Sequence, residues 1–307
     1  MLPPILASLL HPFHFMALAL SHLPSTILAA LLTRDLSTLL SPSRLRAAWF
    51  GRFWAQVGPL VRANAETKVI PLLQGRVTYG VVPSSPSPSP TDTDTDTARG
   101  DTPQQSQSQS HPQDQQPHPH PPVSGTVLEI GPGSGMWTSL FTPRHLPAIR
   151  KVYGVEPNTG VHPLLQAQVA AAGLSETYEI VPVGIESLAG SGRVALESVD
   201  SIVTVMCLCS IPEPRRNMAQ LYGYLKPGGR WYVYEHVKCF REQGWGMRLY
   251  QACLNIIWPQ LIGGCEMCRD TGKWLREAAP WSDVDLHRME GEAWYFTMPH
   301  IIGVLTK

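Results

Sequence analysis

The chain runs to 307 residues, 43% of them hydrophobic, and balances 24 Lys and Arg against 24 Asp and Glu for a formal net charge of zero. That length holds one sizeable α/β domain with appendages, and the neutral balance argues against nucleic acid as a partner, which normally calls for a basic face. Six cysteines (Cys207, Cys209, Cys239, Cys253, Cys265, Cys268) are too sparse for the disulfide framework of a small secreted domain and read as free thiols in a reducing compartment.

Residues 1–33 carry no charged side chain, and Ile5 to Leu10 and Phe15 to Leu20 are strongly apolar. A continuous span needs about 20 apolar residues, and here Pro12, Pro24, His11, His14 and His22 interrupt the run. No Lys or Arg precedes the apolar stretch, so a secretory signal is not expected. A hairpin or shallow interfacial anchor over residues 1–44 fits, with Arg34, Arg44 and Arg46 on the cytosolic side, as anionic lipid favours. An apolar extension packed on the domain or disordered is the competing reading. The expected location is the cytosolic face of an intracellular membrane, endoplasmic reticulum or lipid droplet, or else the cytoplasm. Over residues 45–82, Trp49, Phe50, Phe53, Trp54, Val57, Leu60 and Val61 recur at helical spacing, a stripe that usually marks core packing; it predicts lid or cap helices, a membrane face, or both. Residues 83–122 change character: Ser-Pro repeats, an Asp-Thr run, then Gln, Ser, His and Pro. Such a segment buries too little to offset its chain entropy and is predicted to be disordered, with His111, His118 and His120 belonging to the tract rather than to a metal site.

Within a domain expected over residues 123–307, strands and helices alternate from Thr126 to His236, as in a doubly wound, mostly parallel α/β sheet. The predicted first strand, Val127 to Ile130, carries Glu129 and runs into Gly131-Pro132-Gly133-Ser134-Gly135, a turn that lets the backbone approach a ligand at a helix N-terminus. Met136 stands where a dinucleotide fingerprint wants its third glycine, which argues against a pyrophosphate cradle. A second strand, Lys151 to Val155, ends at Glu156 and Pro157, and an acid there has enough acceptor sites for both ribose hydroxyls of an adenosine ligand. A third, Tyr178 to Pro182, leads to a loop with Ile185 and Glu186, suited to an adenine face and edge. A fourth, Val199 to Met206, has the unbroken apolar run of a strand covered on both faces and delivers Cys207, Leu208, Cys209 and Ser210 to the carboxyl end of the sheet, where ligands sit. A helix through Leu225, a Lys226-Pro-Gly-Gly229 turn and a fifth strand, Arg230 to His236, follow. His236 is the best-placed imidazole for an acid–base role, against the reading of a hydrogen-bonded structural histidine. Cys265 and Cys268 form a C-x-x-C without a second pair at zinc spacing, so they read as ordinary cysteines and no metal is expected. Trp245, Tyr250, Trp258 and Trp274 are candidates for lining an apolar acceptor pocket.

The glycine turn, Glu156 and Lys226-Pro-Gly-Gly229 resemble class I S-adenosylmethionine-dependent methyltransferases. More narrowly, Val205-Met-Cys-Leu-Cys-Ser210, Glu235-His236-Val237, Gly264-Cys265, Arg269-Asp270-Thr271, Trp274 and Pro299-His300-Ile-Ile-Gly303 resemble the membrane-associated methyltransferase-like proteins that methylate alkyl thiols. The resemblance runs from about Thr126 to Lys307. It implies a Rossmann-like, seven-stranded sheet with N-terminal helices and S-adenosyl-L-methionine as cofactor. Carried over by position, Glu129, Gly131, Gly133 and Gly135 would hold its methionine part, Glu156 the ribose, and Ile185 and Glu186 the adenine, with His236 at the pocket mouth; Pro132, Pro157, Cys207 and Leu208 complete the candidate cofactor-binding set, and His236 is the candidate catalytic residue. Pro132 departs from the cysteine often found there, and the low-complexity insert is absent from those relatives. The acceptor is expected to be a small, apolar molecule, a thiol first, with O- or N-methylation of a lipid or secondary metabolite as the alternative and a non-catalytic cofactor-binding or scaffold protein third.

Overall fold

A computed structural model describes residues 3–82 and 119–307. Four helices open the chain: α1 (Pro4–Ser21), α2 (Leu23–Leu32), α3 (Leu36–Leu40) and α4 (Pro42–Leu73). Asp35 caps α3 by accepting the Thr38 N–H at 3.0 Å, and Ser41 caps α4 from the Arg44 N–H at 3.4 Å. Because α4 starts at Pro42 and runs through Leu73, the expected anchor and lid segments share one helix rather than meeting at residue 44. The aromatic stripe lies along it, with Trp49, Phe53 and Val57 buried and Leu60 exposed.

Residues 83–118, most of the expected disordered insert and including His111 and His118, lie outside the described residues. The insert's last residues are held in place. His120 is buried with Nε2 2.6 Å from Asp285 Oδ2, and the Tyr232 hydroxyl donates to the Pro121 carbonyl at 2.7 Å. A paired imidazole and carboxylate thus pin the chain where it re-enters the domain, four residues earlier than composition suggested.

The sheet then assembles from β1 (Gly125–Ile130), β2 (Ile149–Val155), α5 (His162–Ala171), β3 (Tyr178–Val181), α6 (Ile185–Ser191), β4 (Val199–Val205), α7 (Pro214–Tyr224) and β5 (Leu225–His236). Three helices, α8 (Gly244–Asn255), α9 (Trp258–Leu261) and α10 (Thr271–Glu277), precede β6 (Asp283–Arg288) and β7 (His300–Thr306). Strand order is β3-β2-β1-β4-β5-β7-β6; β1 to β5 are parallel and β7 runs antiparallel to both its neighbours. This is the seven-stranded, mostly parallel doubly wound sheet. Its order reverses between β1 and β4, and the crevice for a ligand opens at the carboxyl ends of that pair.

Two local expectations differ. No α-helix follows the glycine turn; the crossover to β2 holds only a 3-10 helix, Thr138–Phe141, ending at an extended Thr142. Pro143 disfavours helical backbone at the residue before it, so the run stops there. Lys226 to Gly229 is not a free turn either. It is a bulge inside β5, where the register jumps from Val199↔Leu225 to Ser201↔Arg230.

One face of the sheet packs on α4 through Val69, Leu72 and Leu73, the other on α6, α7 and α10 through Leu188, Leu221 and Leu275. A third apolar cluster sits over the carboxyl ends of the strands. There Met16 of α1, Phe53 of α4, Leu254 of α8 and Trp258 of α9 enclose Cys209 and Cys265.

Candidate functional site

At the end of β1 the chain turns through Gly131 (φ 64°) and Gly133 (φ 57°), a left-handed backbone that favours glycine. A Cβ at Gly131 would lie 2.8 Å from the Cys207 Cβ, so only glycine lets this turn pass so close to the exit of β4. A Cβ at Gly133 would meet nothing within 4 Å, which leaves one edge of the turn open to a ligand. Glu156, at the tip of β2, closes the other side: its Oε2 accepts the Gly133 N–H at 2.9 Å and its Oε1 the Asn158 N–H at 2.8 Å. Burial pushes this carboxyl upward, against the two backbone hydrogen bonds. Pro132 is buried within the turn and Pro157 exposed beyond Glu156.

Glu129 is buried in β1 and accepts the Tyr178 hydroxyl of β3 at 2.6 Å. Burial raises its carboxyl to about 7. Tyr178 was invisible as a site residue because nothing in the spacing says which face of β3 meets Glu129. Just past the turn, the buried Trp137 Nε1 and Thr138 Oγ1 have no partner among the described residues. The adenine-side pair divides: Ile185 lies in the core beside Leu188, while Glu186 is exposed in the first turn of α6. The expected loop is therefore a helix start.

The exits of β4 and β5 make a second arrangement. Met206, just after β4, has φ 54°, a costly conformation for a non-glycine residue. Two side chains hold the segment after it: the fully buried Glu235 of β5 accepts the Cys207 and Leu208 N–H groups, both at 3.1 Å, and Arg269 donates to the Leu208 and Ile211 carbonyls, both at 2.7 Å. Burial raises the Glu235 carboxyl to about 8. Cys209 is thereby brought against His236 and Cys265, with the imidazole nitrogen and both sulfurs all within 4.8 Å of one another. His236 Nε2 stands 3.2 Å from Cys265 Sγ, and the Trp258 indole N–H donates to the same sulfur at 3.3 Å. Hydrogen bonding from Cys265 draws the Cys209 thiol well below its ordinary range; burial pulls His236 down, but Cys209 outweighs it and the net direction is upward.

Cys265 is thus no partner of Cys268, whose sulfur lies near Gln251 instead. Of the four aromatic candidates, Trp258 reaches this cluster and Tyr250 donates to the Leu9 carbonyl of α1. Trp274 packs on the α7–α10 side and Trp245 is 79% exposed. A separate cavity of about 460 Å³ opens beyond β5, between Val237, Lys238, Phe240 and Asp270, and includes no residue of the glycine turn.

Residues 114–269 match the family model described as a methyltransferase domain, about half of the chain. The protein belongs to this methyltransferase family. Similar proteins include the rat thiol S-methyltransferase TMT1B, 30% identical over 183 residues that cover 59% of this chain and 70% of that one. The human thiol S-methyltransferase TMT1A is 28% identical with the same coverage. Among solved structures, the cyclase SpnF aligns over 60% of this chain and 75% of its own, with 18% identity and a TM-score of 0.46. A SAM dependent methyltransferase from Aquifex aeolicus aligns over 59% and 81%, with 15% identity and a TM-score of 0.37.

The methyltransferase uses S-adenosylmethionine as cofactor, and the donor set at the glycine turn suits it. The turn offers an open edge at Gly133, a two-oxygen acceptor at Glu156 and unpartnered buried donors at Trp137 and Thr138. A two-oxygen acceptor beside an open glycine turn matches a ligand that carries hydroxyls and an ammonium.

Proposed function

We propose that this methyltransferase methylates a small apolar thiol at the exits of β4 and β5. The observation that carries the reading is the burial of Cys209, His236 and Cys265 under the apolar side chains of α1, α4 and α9. The apolar walls around this small polar cluster favour an acceptor with an apolar body and a single reactive group. The names of the rat and human relatives point the same way.

In this reading Gly131, Pro132, Gly133 and Gly135 shape the pocket for the methionine end of the cofactor, with Glu129 as the acid facing its ammonium. Glu156 and Pro157 take the ribose side, Ile185 and Glu186 flank the adenine, and Cys207 and Leu208 border the methyl. The cofactor, when bound, supplies an electrophilic methyl carbon on a sulfonium. The chain's own residues align the acceptor, exclude water and favour its thiolate. Glu235 and Arg269 act as positioning residues that hold the Cys207–Ile211 segment. His236 favours ionisation of the acceptor; its Nδ1 is buried and free of protein partners among the described residues.

We also propose that α1 to α3 rest on a membrane surface facing the cytosol. Residues 4–32 are long and apolar enough to cross a membrane by composition, with a mean hydropathy of 1.8. However, the helix breaks at His22, and one side of it packs on the domain. The Trp49 indole donates to the Ala19 carbonyl at 2.7 Å, and Phe15 stacks on Trp258 at 5.7 Å. The other side exposes Leu6, Leu10, Phe13, Leu28, Leu31 and Leu32, which fits a helix lying in the interface.

The test is a transfer assay with methyl-labelled cofactor against thiols, phenols, amines and lipid extracts. Label is expected in alkyl thiols; incorporation into phenols, amines or lipids alone would reassign the acceptor. His236→Ala is expected to lower turnover by about 10²-fold at unchanged cofactor affinity, near the low end of acid–base contributions. Raising the pH toward the acceptor's own pKa of ~8.5 is expected to restore much of the rate.

A further inference from the structure

We propose that Cys209, His236 and Cys265 form a zinc site with one open position, and that this position takes the acceptor thiol. The inference rests on the thiol reading above and names the means by which the acceptor is ionised; on it His236 serves as a ligand rather than a free base.

Three separate segments deliver the donors: the exit of β4, the last residue of β5 and the turn after α9. One imidazole nitrogen and two sulfurs converge within 4.8 Å, all buried. Such proximity of three potential ligands is what a tetrahedral zinc site needs, since Zn–S and Zn–N bonds of ~2.3 and ~2.0 Å put neighbouring donors under ~4 Å apart. The two cysteine segments are tied to each other by the Glu266 N–H donating to the Cys209 carbonyl at 3.0 Å. Gly263 (φ 56°) and Gly264 (φ 82°) make the tight turn that presents Cys265. Around this set stands an outer ring of the kind that orients ligands. Trp258 donates its indole N–H to Cys265, Glu235 holds the Cys207 and Leu208 amides, and Arg269 holds the carbonyls of Leu208 and Ile211.

Two soft sulfurs and an imidazole select zinc over magnesium, calcium or manganese. Closed structural sites use four protein ligands, whereas three leave a place for a reactant. No fourth His, Cys, Asp or Glu joins the group among the described residues. An alkyl thiol entering the open position gives up its proton to solvent and binds as thiolate. In the transfer step the thiolate sulfur forms a bond to the methyl carbon, and that carbon's bond to the sulfonium breaks with its electron pair remaining on the departing sulfur. The product is a neutral thioether, a weak zinc ligand, which leaves the site.

The test uses the full chain without a histidine tag, grown with added zinc and dialysed into metal-free buffer, with metal content read by plasma mass spectrometry. Roughly one zinc per chain is expected, with Cys209→Ser and Cys265→Ser each falling below about a fifth of that, as loss of one of three ligands demands. A variant with His111→Gln and His118→Gln is expected to keep its zinc, which separates the site from the histidine-bearing tract. Should the cysteine variants fail to fold, the unaltered protein loaded with cobalt is expected to show a thiolate-to-metal charge-transfer band that shifts when an alkyl thiol is added. Folded protein without zinc, zinc untouched by both cysteine variants, or a Cys209–Cys265 disulfide in the peptide map would each overturn the site. A cobalt spectrum indifferent to thiols would overturn its role toward the acceptor. Thiol methylation by zinc-free protein would sink this proposal while leaving the thiol reading intact.

Discussion

Glu156 already has both carboxylate oxygens engaged by backbone amides, Gly133 at 2.9 Å and Asn158 at 2.8 Å, so a bound ribose must share an acceptor set the turn has pre-aimed. Glu156→Ala is expected to weaken cofactor binding by roughly 1.5–3 kcal/mol, the scale of lost charge-assisted hydrogen bonds. Titration calorimetry giving unchanged affinity would remove Glu156 from the site. Glu129 lends itself to a pH test. Its carboxyl sits at about 7 in the folded chain because of burial, against ~4.3 in an unfolded one. Between those values the folded state holds a proton that the unfolded state has lost, so this group's contribution is greatest below ~4.3 and declines as pH rises toward 7. Ligand-free protein is therefore expected to lose melting temperature across that window, and Glu129→Gln to lose less. Parallel melting curves for parent and variant would refute the assignment. The positions of both acids, in β1 ahead of the glycine turn and at the tip of β2, are those the sequence implied, because each sits at a fixed offset from a glycine turn or strand end. Tyr178, Glu235 and Arg269 gain their site contacts only through pairing across the sheet and a return of the chain more than 50 residues later, in the case of Arg269.

Elements were read from sequence where period and boundary chemistry agreed. The five parallel strands fall within a few residues of their expected places, since buried parallel strands are short apolar runs bounded by glycine, proline or acid. The helix expected after the glycine turn is absent, because Pro143 acts before a helix can lengthen. Equally hidden was the clasp between the chain's re-entry at His120 and β6. Asp285 accepts the Tyr79 N–H at 2.8 Å and pairs with His120 at 2.6 Å, joining both ends of the undescribed stretch to the same edge strand. Asp285→Ala leaves a buried imidazole and an amide without their acceptor. It is expected to lower stability by about 2–4 kcal/mol in chemical denaturation. A change below ~0.5 kcal/mol, the range of ordinary surface substitutions, would mean that the clasp is not structural.

The whole molecule places a buried polar cluster under helices that are apolar on both sides. The inner side of α1 meets the domain through Ala19 and Phe15, and its outer side leaves Leu10 and Phe13 about half exposed, at 45% and 50%. Replacing both by Glu adds charge where lipid would lie without touching the packed side. The double variant is expected to lose sedimentation with anionic vesicles while keeping its melting temperature and its methyl transfer to water-soluble thiols. Retained vesicle binding would show that this face of α1 is not what meets the lipid.

The sequence by itself determined the parallel sheet, the glycine turn with its flanking acids, and the apolar character of the N-terminus. Each is written in local signals: strand-length apolar runs, a turn only glycine tolerates, an uninterrupted lack of charge. Only the tertiary structure decided that Cys209, His236 and Cys265 meet, that Cys268 stands apart, and that α1 and α4 roof the cluster. These residues are separated by 27 and 29 positions along the chain and are brought within 4.8 Å by strand order and helix packing. Linear spacing reports a ligand set only when one turn or one helix carries it. Here three elements each contribute a single donor, so the set exists only once the sheet has formed.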